Sequence, residues 1–95
     1  MKLFNVLNTA DDKTTSGISW LEALEKQLGK KLPKYSSNGV EMVGGHMSSC
    51  SGRCHSWNTD YIAYIPKSFN DNQNNYESIE APYGYYAKYD DVKKW

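Results

Sequence analysis

Four side chains able to ligate a soft metal fall within ten residues: His46, Cys50, Cys54 and His55. Zinc sites use thiolate and imidazole in tetrahedral sets, and two to four residues commonly separate paired cysteines. Cys50 and Cys54, with three residues between them, fit that spacing. Two features work against it. Cys54 and His55 are neighbours, whose side chains diverge, and all four residues sit on one strand end and one loop, whereas a structural metal usually ties separate elements together. A loop with two free thiols and a Cys50–Cys54 disulfide therefore stay open beside zinc. His46 has a second candidate role. It comes after Val43-Gly44-Gly45, where glycine permits close approach of backbone or ligand. An imidazole titrates near neutrality, so a histidine there can act as a general base. A merely exposed or hydrogen-bonded histidine is the plainer alternative.

These residues need elements to position them. Lys2 to Leu7 reads as a strand, and Asn8 to Gly17 as a polar loop. Ser19 with Glu22 three residues later has the form of a capping box, in which each side chain satisfies a free backbone N–H. Trp20, Leu21, Leu24 and Leu28 fall at helical spacing, Gly29 supplies a stop and Pro33 bars continuation. The spacing predicts a helix over 20–29. Strands are predicted over 40–46, 60–65 and 84–89, the second being the richest in aromatic and β-branched residues. Residues 47–59 read as a loop, Lys67 to Asn75 as a short helix or extended loop, and Asp90 to Trp95 as a charged tail. The fold class is α+β: one helix packed on a small antiparallel sheet, in one domain covering 1–95.

The chain has 95 residues, 11 Lys+Arg against 11 Asp+Glu, and a mean hydropathy of −0.76. Zero net charge argues against non-specific wrapping of nucleic acid, which rests on neutralising phosphates. Arg53 is the one arginine, so a site of several bidentate guanidinium forks is excluded. No apolar run approaches the ~18 residues that a membrane helix needs. The first residues turn polar too quickly for a signal peptide, so a cytoplasmic location is the expectation. A domain of this size buries only about 60–65% of its unfolded surface. Eight Tyr, three Trp and two Phe offset that thin core. Trp20, Phe4, Tyr61, Tyr64, Phe69, Tyr85 and Tyr86 are expected to build it.

The order of motifs resembles small bacterial and phage HNH-endonuclease-like proteins of the treble-clef, ββα-metal type. Ile18-Ser19-Trp20-Leu21 stands at the family's helix start and Leu32-Pro33-Lys34-Tyr35-Ser36 at its connector. Val43-Gly44-Gly45-His46-Met47 matches the Gly-x-His strand, and the run from Asp60 to Asn70 matches the second strand and the start of the helix after it. The resemblance spans nearly the whole chain through short motifs. It implies that His46 holds the place of the general base and Asn70 that of the residue orienting it. The departures are large. The family's cysteines correspond to Thr15, Gly17, Ser36 and Pro66, and its helix histidine to Phe69. None of these binds zinc as thiolate or imidazole does. The scaffold is therefore expected to have lost most of its metal chemistry, with Phe69 filling the vacated space.

Three functions are compatible with these residues. The favoured one is a non-catalytic protein-binding module on a degenerate HNH-like scaffold, of the kind phages and mobile elements encode, acting for instance as an inhibitor of a host protein. Its contact residues would be Tyr76, Tyr83, Tyr85, Tyr86 and Tyr89, since tyrosine gives amphipathic contact at low entropic cost. Ordinary cross-strand tyrosine pairs are the plainer reading of the same residues. The second is a metal-dependent nuclease using His46 and Asn70. The third is a small structural zinc protein using Cys50, Cys54, His55 and His46. A protein partner is favoured over nucleic acid, and no membrane partner is expected.

Overall fold

The computed structural model describes residues 1–6, 9–49, 59–71 and 77–95. Five strands form one antiparallel sheet in the order β4-β1-β2-β3-β5. They are β1 (Lys2–Asn5), β2 (Met42–Ser48), β3 (Tyr61–Pro66), β4 (Ser78–Glu80) and β5 (Tyr86–Lys88). Three helices accompany them: α1 (Trp20–Leu28), α2 (Lys67–Asp71) and α3 (Tyr89–Lys93). The α+β class is as predicted. The sheet has one strand more than expected, and the helix count among the described residues is three rather than one.

The central pair β2–β3 runs in continuous register from Met42↔Pro66 to Met47↔Tyr61. Alternation along it sorts side chains to two faces. Val43, Met47, Tyr61, Ala63 and Ile65 pack with Leu3, Ile79, Ala81, Phe69 and Tyr86 on one face. Ile62, Tyr64 and Ala87 pack with α1 and α3 through Ala23, Leu24, Leu32 and Val92 on the other. The largest fully buried side chains are aliphatic or thioether (Leu3, Leu24, Leu32, Met47, Ile62, Ile65 and Val92). The expected all-aromatic core is thus corrected. Trp20, Tyr61, Tyr64, Phe69 and Tyr86 are partly buried around that centre, and Tyr85 is exposed. Flat rings tile the margins of a thin sheet domain, while compact aliphatic chains fill its middle.

Helix α1 forms where the sequence places it. Ser19 is extended and its side chain accepts from the Glu22 N–H at 3.0 Å. At the other end Gly29 adopts φ 69° and returns its N–H to Glu25 O at 2.8 Å. That left-handed cap is strained for a residue with a Cβ. Glu25 also accepts from the Leu32 N–H at 2.9 Å, folding the connector back on the helix.

The other boundaries shift. The strand predicted over 2–7 is described only over 2–5, and that over 40–46 runs from 42 to 48. Val40 is excluded because Ser36 Oγ receives the N–H groups of Asn38 and Val40 in a turn, with Gly39 at φ 78°. Strand 60–65 becomes 61–66, and 84–89 contracts to 86–88 because Tyr89 opens α3. Neither β4 nor α3 was predicted. Each is too short for a local pattern, and pairing with β1 or burial of Val92 makes it.

Candidate functional site

Gly44 and Gly45 set the approach of the helices to β2. A Cβ on Gly44 would stand 2.7 Å from the Trp20 carbonyl carbon, so α1 begins directly against the strand. A Cβ on Gly45 would fall 2.8 Å from Asn70 Oδ1, so α2 closes on the opposite side. His46 comes next inside β2, not at a strand end, and is 4% exposed. Its ring packs edge-on against Trp20 at 4.6 Å between centroids and lies 5.8 Å from the Tyr89 ring.

Four polar side chains converge on Asp12, in the loop before α1. His46 Nε2 lies 3.0 Å from Asp12 Oδ2, and the Tyr89 hydroxyl donates to the same oxygen at 2.5 Å. Lys93 Nζ donates to Asp12 Oδ1 at 2.6 Å and to the Tyr89 hydroxyl at 2.9 Å. Trp20 Nε1 donates to the Asp12 carbonyl at 3.2 Å. Burial acts to raise the Asp12 carboxyl, but hydrogen bonds from Lys93, Tyr89 and His46 and the Lys93 charge outweigh it and hold the group at about 2. Burial pushes His46 below the usual imidazole range, against the pull of Asp12. Burial, reinforced by the hydrogen bond to Asp12, raises the Tyr89 phenol. A carboxylate only accepts, so Nε2 of the neutral His46 carries the proton and Nδ1 keeps the lone pair.

Beside this cluster is a recess of about 250 Å³ lined by Thr9, Asp12, Lys13, Trp20, His46 and Asn70, among others. The structure thus brings His46 and Asn70, predicted as a pair, to one recess. It also adds Asp12 and Lys93, which no spacing in the sequence marked, because loop 9–17 and α3 meet only after the sheet has formed. Thr15 N and Ser16 N donate to the carbonyls of Lys93 and Trp95, which fixes that meeting. Of the proposed zinc ligands, Cys50, Cys54 and His55 lie outside the described residues, and His46 is committed to Asp12. Among the described residues no group of three His, Cys, Asp or Glu side chains is placed to hold a metal ion.

The five tyrosines predicted for contact separate. Tyr76 lies outside the described residues. Tyr86 packs edge-on against Tyr61 at 5.5 Å, and Tyr89 is bound into the Asp12 cluster. Tyr83 and Tyr85 are on the surface, 93% and 37% exposed, in the turn before β5 where Gly84 takes φ 89°. Tyr85 stacks on Tyr64 at 6.0 Å, and Lys30 Nζ sits 3.7 Å from the Tyr85 ring centroid. The Tyr64 hydroxyl donates to Pro33 O at 2.5 Å, drawing the connector after α1 onto the same face. Tyr35 is exposed there too, with Lys34 Nζ 5.8 Å from its ring. Sequence reasoning missed Lys30 and Lys34 as members of this surface. A Lys-Lys-x-x-Lys run after a helix was its only signal.

Among the described residues no helix is long and apolar enough to cross a membrane. No family model, no curated protein and no solved structure matches this chain.

Proposed function

We propose that this protein is a non-catalytic binding module on a degenerate HNH-like scaffold, and that it engages a protein partner through the face carrying Tyr83, Tyr85 and Lys30. One observation carries the reading. Tyr83 is 93% exposed beside the Tyr64–Tyr85–Lys30 stack, which holds its ring surroundings in place before any partner arrives. Tyrosines held this way give large contact area with little ordering cost, as in antibody paratopes. The order β2–β3–α2, with His46 on the first strand and Asn70 on the helix, supports the scaffold assignment. The Asp12 cluster supports a structural role for His46, because Asp12, Tyr89 and Lys93 are all spent on one another.

The test is photo-crosslinking in the cells that produce the protein. With p-benzoylphenylalanine at position 83, protein adducts form; with the same group at position 13, on another surface, they do not. Absence of adducts at 83 sinks the reading.

A second reading is favoured by one feature. His46 has its Nε2–H oriented by a carboxylate and shares a recess with Asn70, an arrangement able to accept a proton through Nδ1. Plasmid cleavage with Mg²⁺ or Mn²⁺ that disappears in His46→Ala would establish this reading in place of the first.

A further inference from the structure

Charge on this chain is balanced in total but not in space. Residues 30–40 contain Lys30, Lys31 and Lys34 and no acidic residue, and residues 81–89 contain Lys88 and no acidic residue. The Tyr64–Pro33 hydrogen bond and the Lys30–Tyr85 contact bring these two segments onto one face. The first segment also adjoins the C-terminus of α1, where the helix dipole favours cations. Lys34 lies on the wall of an apolar recess of about 410 Å³, with Trp20, Leu21, Met42 and Val43 on the other walls. Glu41 is on that wall as well, so an incoming carboxylate is directed to the lysine side.

We propose that the partner contributes an acidic segment carrying an apolar residue, its carboxylates facing Lys30, Lys31 and Lys34 and its apolar side chain seated in the recess beside Trp20. This rests on the protein-binding reading above. A single apolar anchor in a pocket with charges at the rim is how short segments gain both affinity and register. A nucleic-acid strand fits less well. Base stacking needs open ring faces, and Tyr85 gives its ring to Lys30 and Tyr64. Arginine forks for phosphate are absent from both segments.

The probes are a fluorescent Glu/Asp peptide with one central Leu, its Gln/Asn counterpart, and oligo(dT), each titrated by anisotropy at low salt. The acidic peptide binds the wild type at least about tenfold more tightly than the Gln/Asn peptide, and K30E or K34E removes that preference. K13E, in a different recess, leaves it intact. Circular dichroism checks that the exposed substitutions leave the fold unchanged. Equal binding of the two peptides, insensitivity to K30E and K34E, or tighter binding of oligo(dT) overturns the proposal. Crosslinking at position 83 separates the levels. Protein adducts that persist in the K30E/K34E double variant leave the binding module standing and remove the acidic partner. Loss of all adducts in the wild type removes both.

Discussion

At the scale of single residues, Asp12 is the centre of the described polar network. It accepts from Tyr89 and Lys93 through its carboxylate and from Trp20 through its carbonyl, and it holds His46. Asp12→Ala leaves the buried His46 N–H and the Tyr89 hydroxyl without their acceptor, at a cost of about 2 kcal/mol in urea unfolding. A depressed carboxyl stabilises the fold above its unfolded value. The Asp12 contribution, of order 2 kcal/mol, is present above pH 3.8 and is lost as pH falls toward about 2. His46 is depressed too, so the unfolded chain takes up its proton first and stability begins to decline below 6.5. Both slopes share one sign. The melting temperature falls in two stages as pH is lowered from 7, and the first stage shrinks in His46→Gln. A wild type whose melting temperature rises between pH 7 and pH 5 contradicts this. His46 was legible as a residue worth placing, from the glycines before it. Asp12 was not, because an aspartate in a polar loop looks like any other until α3 arrives.

At the scale of elements, β2 and its two glycines organise the site. Gly44→Ala presses a methyl group against the Trp20 carbonyl and within 2.8 Å of the Leu21 N–H nitrogen, both backbone atoms of a capped helix that has nowhere to move. Gly45→Ala meets the ends of the Ile65 and Asn70 side chains, which rotate away. The expected costs are about 3 kcal/mol for Gly44→Ala and about 1–2 kcal/mol for Gly45→Ala, measured by denaturant unfolding. Equal costs would show that α1 yields as easily as a side chain. Ser19→Ala removes the bond to the Glu22 N–H and costs about 1 kcal/mol. Helix α1 was legible nearly to the residue, because its cap, its apolar stripe and its terminating glycine are local signals within ten positions. β3 was legible for the same reason. The short β4 and α3 were not, because three or five residues carry no period.

At the scale of the whole molecule, the domain is closed by contacts between distant parts of the chain. β1 lies between β2 and β4, and loop 9–17 is stitched to α3 by backbone bonds from Thr15 to Lys93 and from Ser16 to Trp95. Val92 is fully buried on the α1 face, so Val92→Ala costs about 2 kcal/mol. A chain stopped after Lys88 loses α3, its apolar anchor and the Lys93 donor together. It should give collapsed, poorly dispersed amide spectra, where an intact spectrum would show that α3 is dispensable.

The sequence by itself determined the α+β class, helix α1, the central strand pair and the candidacy of His46, since each comes from propensity, capping or periodicity acting over a few residues. Tertiary structure alone decided that His46 is neutral and bound to Asp12, that Tyr86 and Tyr89 turn inward while Tyr83 and Tyr85 face out, and that three lysines share their surface. Those outcomes depend on which segments meet across the sheet and on how much water remains around them once they have met, and neither quantity is written in any local stretch of chain.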